Sequence, residues 1–312
     1  MTASNFEMML YYALGGGLGH LTRARAVLHT LGIAAEQVTI LTASRFADDA
    51  RVIGPLNIIQ VPPHLAHDPR AYRRWLRELL GTLAPEEIYL DSFPAGIRGE
   101  WDESLVRGIS VHYLARLLKW ENYASLLPAT PPPLTSTFVL EPLHPKHLAF
   151  LSQHPGAQLL PLQLHDPPTV LGRRELAVID ELTRESRHRP IWLIVHSGSA
   201  AELTELLAYA DEMRRLENSA ARLVLLARTP PPQLMLTGVC CYDLYPASSV
   251  FHLAHRVVSA CGFNVMRQMA AHRERHRFMP LPRRFDDQFQ RAAQHHLTAS
   301  AVADDPPASE RE

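Results

Sequence analysis

The sequence predicts an α/β protein built of two Rossmann-like, doubly wound domains, each a parallel sheet covered by helices. Three observations predict it. Short apolar runs of strand length alternate with stretches whose apolar residues recur at helical spacing. That alternation occurs twice along the 312 residues, with a proline-rich crossing between the two series. Glycine, only 15 residues in all, is concentrated where a strand passes into a helix: Gly15, Gly16, Gly17 and Gly19 stand within five positions.

The apolar run 8–14 and the helical spacing of Leu18–Leu31 open the chain as strand, tight loop and helix. Val38–Thr42 predicts a second strand, 58–61 a third, and 87–90 a fourth that ends in Asp91, Ser92, Phe93 and Pro94. Helical stretches separate most of these, and 109–114 and 138–140 supply further strands. Over 159–171 the periodicity fades while Pro161, Pro167 and Pro168 accumulate, which suits a crossing between domains. The second series runs from a buried strand at Ile191–Val195 and a helix at Ala200–Leu216 to strands at 223–226 and 238–242. A strand at 257–260 then leads into Gly262, followed by a helix over 263–272, a short strand at 278–279 and a helix over 285–296. The expected domains are therefore 1–158 and 159–297, and the tail 298–312, rich in Asp, Pro, Ser and Glu, is expected to be disordered. Proline is enriched to 25 residues, and its clusters at 131–133 and 230–232 mark stiff connections.

Composition narrows the function. With 46% hydrophobic residues there is enough apolar material for a core in each domain. Thirty-one Lys and Arg against 32 Asp and Glu leave a net charge of −1, so no global field favours a polyanion and nonspecific nucleic-acid binding is not expected. No run approaches the roughly 20 apolar residues that span a bilayer, and Glu7 stands where a basic leader would be, so a cytoplasmic protein is expected. Cys240, Cys241 and Cys261 are odd in number and lack Cys-x-x-Cys spacing, which makes them small buried apolar residues rather than a zinc or redox site. Among 17 histidines, the pairs 64/67, 144/147 and 295/296 fall in turns or side by side without a His-Glu-x-x-His helix, so neither a catalytic metal nor a cofactor is expected.

Gly15-Gly16-Gly17-Leu18-Gly19-His20 sits where strand becomes helix. Backbone amides there could approach a phosphate or a sugar acceptor with no Cβ in the way; a tight turn that needs glycine for geometry alone is the alternative. His20, with an ordinary pKa of about 6.5, suits proton abstraction near neutral pH, or it is a structural residue of the helix start. The spacing is not Gly-x-Gly-x-x-Gly, because His20 replaces the third glycine and Ala43, Ser44 and Arg45 follow the second strand in place of an acid. A dehydrogenase is a poor fit. Asp91, at the carboxyl end of a strand, would orient His20, bind an acceptor, or cap the following turn. Tyr72-Arg73-Arg74-Trp75-Leu76-Arg77 joins aromatic and basic groups on one helix, as a membrane-surface helix or a solvated amphipathic one would.

Three distant segments carry a resemblance when taken together: Gly16-Gly17-Leu18-Gly19-His20, Ala260-Cys261-Gly262-Phe263-Asn264, and Pro280-Leu281-Pro282-Arg283-Arg284-Phe285-Asp286-Asp287-Gln288. They resemble the GT-B glycosyltransferases, and among those the family 28 group that includes the peptidoglycan N-acetylglucosaminyltransferase. The resemblance spans both halves of the chain. It implies an acceptor-binding first domain and a nucleotide-sugar donor-binding second domain, reacting in a cleft between them. Gly16, Gly17 and Gly19 would border the acceptor, and the amides and hydroxyls of Ser197, Gly198 and Ser199, with those of Gly262, Phe263 and Asn264, would hold the donor diphosphate. A βα turn is the plain alternative for the first of these donor turns. Asp287 and Gln288 would meet donor sugar hydroxyls, or Asp286 or Asp287 would merely cap a helix. Gln268 stands where the family has a glutamate for the ribose hydroxyls, and Arg273 where it favours glycine; an amide accepts more weakly than a charge.

The expectation is an enzyme that transfers a sugar, with inversion and without metal, from a UDP-linked donor to a hydroxyl of a glycan or lipid-linked acceptor, with peripheral contact at the inner face of the membrane. His20 would act as general base or position the acceptor, and Asp91 would support it. The alternatives are a GT-B-shaped protein that binds a nucleotide sugar or glycan without transferring it, motivated by Gln268 and Arg273, and a nucleotide-sugar epimerase, which needs no acceptor.

Overall fold

The computed structural model describes the backbone of residues 8–154, 158–228 and 239–303, and their side chains through residue 297. The chain divides into two compact units, Met1–Pro168 and Thr169–Glu312.

The first unit runs β1 (Met9–Ala13), α1 (Leu18–Leu31), β2 (Val38–Thr42), α2 (Ala50–Ile53), β3 (Asn57–Gln60), α3 (Pro69–Leu83) and β4 (Glu87–Asp91). It continues with β5 (Ser110–Ala115), α4 (Trp120–Ala124), β6 (Ser136–Val139), α5 (Pro145–Ser152) and β7 (Gln158–Pro161). The seven strands are parallel in the order β3-β2-β1-β4-β5-β6-β7. All five residues of β1 are buried, as befits a central parallel strand covered on both faces. One face packs Leu10 and Tyr12 with Ile88, Leu90, Trp101 and Tyr113 and with Tyr72, Leu76 and Leu80 of α3. Asp68 caps α3 by accepting from the Arg70 and Ala71 amides at 3.0 and 2.9 Å. The apolar face of this helix is thus spent on the core, Arg73 pairs with Asp102, and Arg70, Arg74 and Arg77 face outward.

The second unit runs α6 (Arg173–Ser186), β8 (Ile191–Val195), α7 (Ala200–Leu216), β9 (Arg222–Leu226), β10 (Cys240–Tyr242), β11 (Arg256–Ala260), α8 (Phe263–Gln268), β12 (His276–Met279) and α9 (Gln288–Ala303). Its five parallel strands are ordered β10-β9-β8-β11-β12. Side chains alternate across β8: Trp192 and Ile194 pack with Leu203, Leu206 and Ala210 of α7, whereas Ile191 and Leu193 pack on the other face with Leu182 of α6.

Both sheets therefore form doubly wound α/β units, and in each the strand order reverses once, between β1 and β4 and between β8 and β11. Ligand sites of such sheets gather at the carboxyl ends of the strands flanking that reversal. The glycine loop, Asp91, the 196–199 turn and Gly262 leave from those four strands.

Several boundaries differ from expectation. Strand β7 extends the first sheet, so the division falls after Pro168 rather than after 158; its four exposed residues give no burial pattern to read. Helix α6 follows the expected crossing, in a stretch for which no element was expected, and only Glu175 and Leu182 of its 14 residues are buried. Helix α8 stops at Gln268 and continues after Met269 as a 3-10 turn, with His272 off the helical conformation. Helix α9 begins at Gln288 rather than 285 and runs through Ala303, past the expected start of the tail at 298; residues 304–312 lie outside the described residues. So do the prolines 230–232 and Gly238. Cys261 is buried, but Cys240 and Cys241 are only half-buried on β10. No described helix is long and apolar enough to cross a membrane.

Candidate active site

Helix α1 starts behind Gly17, which is extended at φ −101° and ψ 179° and, as a glycine, supplies no side-chain cap. Its first turn contains no acidic residue, so nothing on the helix opposes the partial positive charge of that end. A Cβ on Gly16 or Gly17 would meet nothing within 4 Å, whereas one on Gly15 would fall 2.3 Å from Cδ2 and 2.5 Å from Nε2 of His20. Gly15 is demanded by the close approach of the imidazole. Gly16, Gly17 and Gly19 are exposed and leave room beside it.

His20 and Asp91 are brought together across 71 residues, with His20 Nδ1 2.6 Å from Asp91 Oδ2. Arg23, one turn along α1, donates from Nε to Asp91 Oδ1 at 2.6 Å and from Nη2 to Oδ2 at 2.7 Å. Nη2 also donates to Ser92 Oγ at 2.8 Å. Arg23 and Asp91 are each only 2% exposed. Burial alone would push the Asp91 carboxyl up, but the Arg23 charge and the contact with His20 hold it well below the usual carboxylate range. An ionised Asp91 can only accept, so Nδ1 of His20 carries the proton and Nε2 is the basic nitrogen.

Burial is also the main influence on His20 and lowers its pKa; Asp91 opposes this, while Arg23 and the buried Arg116, just past β5, add to it. The net direction is down, which leaves a neutral imidazole at neutral pH. Phe93 lies nearly parallel to the ring, centroids 6.5 Å apart at 28°.

The loop that follows Asp91 is tied down from both sides. Tyr123 accepts from the Ala95 amide at 3.1 Å and donates to Gly96 O at 2.8 Å. The Tyr72 hydroxyl lies 2.8 Å from that of Tyr12, which donates to Glu100, and Glu100 Oε2 accepts from the Arg98 amide at 2.7 Å. Gly96, at φ +79°, makes room for this carboxyl, which a Cβ would approach to 2.4 Å.

In the second unit, the 196–199 turn is filled by its own helix. Ser199 Oγ accepts from the Glu202 amide at 3.3 Å and the Ser199 amide donates to Glu202 Oε2 at 3.1 Å, a capping box. Glu202 Oε2 also lies 2.8 Å from His196 Nε2, and its other oxygen pairs with Arg283. A Cβ on Gly198 would come within 1.9 Å of Glu202 and 2.1 Å of His196. Ser197 and Ser199 are exposed. By contrast, Gly262 caps α8 with no side-chain partner, and a Cβ there would meet nothing within 4 Å. Phe263 is buried behind it, Asn264 and Gln268 are half-buried, and Arg273 is exposed.

The late segment is joined to both turns. Arg283 reaches Glu202, and the buried Arg291 donates to Cys261 O at 2.8 Å while pairing with Asp286 at 2.8 Å. Asp287 caps α9 by accepting from the Gln290 amide at 3.1 Å. Gln288 is 4% exposed, accepts from the Leu281 amide at 3.0 Å and donates to Asp286 at 3.3 Å. Both side chains of the expected sugar contact thus have structural partners in their own loop. Among the described residues, no group of three or more His, Cys, Asp or Glu converges in a way that would hold a metal.

The pair His20 and Asp91 was expected; Arg23, Arg116, Arg283 and Arg291 were not. Arg23 follows His20 by three positions, so both lie on one face of α1, and that spacing was its only signal.

No family model matches the chain, and no curated protein matches it in sequence. Among solved structures it is similar to SsfS6, a glycosyltransferase of Streptomyces sp. SF2575, at 16% identity over 96% of this chain and 91% of that one, with a TM-score of 0.53. It is similar to the spinosyn rhamnosyltransferase SpnG at 15% identity, 94% and 84% coverage and a TM-score of 0.54. A Listeria monocytogenes protein described as a UDP-N-acetylglucosamine 2-epimerase matches at 10% identity, 96% and 90% coverage and 0.53. At these identities the likeness is one of fold, and the fold is that of the GT-B glycosyltransferases.

Proposed function

We propose that the chain is a glycosyltransferase that moves a sugar from a nucleoside diphosphate donor, UDP-linked, to an acceptor hydroxyl. The observation that carries this reading is the 2.6 Å contact of His20 Nδ1 with a buried, ionised Asp91, placed at the strand-order reversal of a GT-B fold. His20 Nε2 takes the proton from the acceptor hydroxyl. The acceptor oxygen bonds to the anomeric carbon as the carbon–oxygen bond to the diphosphate breaks, and the electron pair leaves with the nucleoside diphosphate. A single in-line displacement of this kind inverts the anomeric centre. The amides at the Gly262 turn and the Arg283 guanidinium offset the charge that develops on the leaving group without a metal. The first unit is assigned the acceptor, a glycan or a lipid-linked sugar, and the second the donor. We place the protein in the cytoplasm, at the membrane's inner face when the acceptor is lipid-linked.

The test is product formation by the full chain against panels of UDP-sugars and acceptors. His20→Ala is expected to lower turnover about 10²–10⁴-fold; full turnover by that variant would remove the base assignment. The fold likeness to the L. monocytogenes protein favours a second reading, epimerisation, which isomerisation of a UDP-sugar without any acceptor would reveal. Gln268, and Glu202 sitting on the amide of a candidate diphosphate turn, favour a third, a binder. Calorimetric binding of a UDP-sugar with neither transfer nor isomerisation would establish it.

A further inference from the structure

We infer that Arg23 is a positioning residue: together with Ser92 it forms a buried clamp that keeps Asp91 charged and aimed at His20 Nδ1, so that His20 offers a bare Nε2. The inference deepens the proposed function and rests on it for the catalytic consequence, though the clamp itself is open to measurement without turnover.

The geometry is two-pronged. Nε and Nη2 of Arg23 each hold a different oxygen of Asp91, at 2.6 and 2.7 Å, which fixes the carboxylate plane as a single contact would not. Nη2 is shared with Ser92 Oγ at 2.8 Å, which ties the guanidinium to the residue after Asp91. Ser92 has a φ of +72°, a left-handed backbone that residues with a Cβ disfavour. It is held there by its amide donating to Leu114 O at 3.1 Å and its carbonyl accepting from the Tyr113 hydroxyl at 2.8 Å. Backbone conformations of this sort persist where the surroundings over-determine them, and they cluster at functional sites.

Stability alone does not account for the clamp. A fully buried ion pair is commonly no better for stability than apolar side chains of similar volume, because both charges lose their hydration. What the pair does supply is control of the neighbouring ring. Three charged groups face His20: Asp91 from the exit of β4, Arg23 from its own helix, and Arg116 from the exit of β5. An unopposed Asp91 would draw a second proton onto His20 and abolish the base. Burial of the ring opposes that pull most and Arg23 adds to the opposition, while leaving the carboxylate to accept from Nδ1.

The experiment is a nitrogen-15 NMR titration of histidine-labelled full-length protein, with His20→Ala to assign the signal. In the unaltered protein the His20 ring is expected to be neutral at pH 7, protonated on Nδ1 and bare on Nε2. In Arg23→Met, which keeps volume and loses charge, the His20 pKa is expected to rise by about one unit or more, with the acid limb of the transfer rate moving up alongside. Arg23→Lys should restore most of the titration while the rate stays depressed, because one ammonium cannot hold both oxygens. An unchanged His20 titration in folded Arg23→Met, or a ring in the unaltered protein protonated on Nε2 at pH 7, would overturn the clamp. If Arg23→Met does not fold, the tautomer in the unaltered protein and the Arg23→Lys titration decide it. If no donor and acceptor yield product, the transferase reading falls and the titration still judges the clamp.

Discussion

Each unit sets a histidine against a carboxylate beside a glycine that the ring needs for room. His20 meets Asp91 at 2.6 Å next to Gly15, and His196 meets Glu202 at 2.8 Å next to Gly198. The resemblance ends with the origin of the carboxylate. Glu202 comes from six residues along the same chain segment, sits on the helix whose end it caps, remains 23% exposed, and is shared with Arg283. Asp91 comes from the neighbouring strand, has no exposure in its side chain, and is held by a buried arginine. A local carboxylate is consumed by satisfying a helix terminus. A distant one, brought in by the sheet and held by a buried arginine, serves the ring rather than a helix terminus. Glycine, histidine and acid in proximity therefore do not distinguish a turn from an active site; what the acid is bonded to does.

The strongest way to break this contrast is to neutralise each acid. Asp91→Asn removes the acceptor that fixes the His20 tautomer and is expected to lower turnover about 10²–10³-fold. The His20 pKa should fall further, since Asp91 is what raises it. Glu202→Gln removes an anion from a candidate diphosphate turn and releases Arg283, so UDP should bind about fivefold more tightly, equivalent to about 1 kcal/mol. Calorimetry and initial rates on both variants check this. Equal losses of turnover from the two would erase the distinction.

A second contrast is electrostatic and predicts that the units are alike. Burial pushes His147 of the first unit down to about 3, and burial with neighbouring His295 and Arg277 pushes His276 of the second down to about 4. Their folded values lie below the unfolded value of about 6.5, so protons favour the unfolded chain. The stability they contribute is complete above about pH 6.5 and is lost as pH falls toward their folded values. At pH 5 the loss is about 2 kcal/mol for each. Urea unfolding at pH 7 and pH 5 should show it, and His147→Gln and His276→Gln should each flatten the dependence by their share.

How much of this could be read from residues alone follows the same line between local and distant causes. The boundaries of α1, β2, β8 and α7 coincide with those expected, because a buried parallel strand is apolar on both faces and its flanking helices start at glycine or serine. Strand β7, exposed along all four residues, and α6, with a narrow apolar stripe, offered no such contrast. At the site, His20 was recognisable from its loop and Asp91 from its strand end. Arg23 was not, because an arginine on a helix reads as solvated until a partner 68 residues away buries it. The Ser199-x-x-Glu202 spacing spells a capping box, a local signal that competes with the anion-site reading of the same turn. Asp287 likewise does what an aspartate before a helix ordinarily does.

The finest test of the contrast is a single methyl group added at each glycine. In Gly15→Ala the new Cβ would strike the His20 ring at 2.3 Å, and the ring is the part that can turn away. The cost then appears as a weaker contact with Asp91: turnover falls about tenfold, the size of a lost 1.4 kcal/mol of transition-state stabilisation, and the His20 titration moves. In Gly198→Ala the Cβ would lie 1.9 Å from the Glu202 carboxyl, and it is the carboxyl that must leave. The helix then loses its reciprocal cap, which costs about 1 kcal/mol and lowers the melting temperature of the second unit by about 2–4 °C. Were Gly15→Ala to act only on melting and Gly198→Ala on the His20 titration, the assignment of one pair to chemistry and the other to a helix end would be reversed.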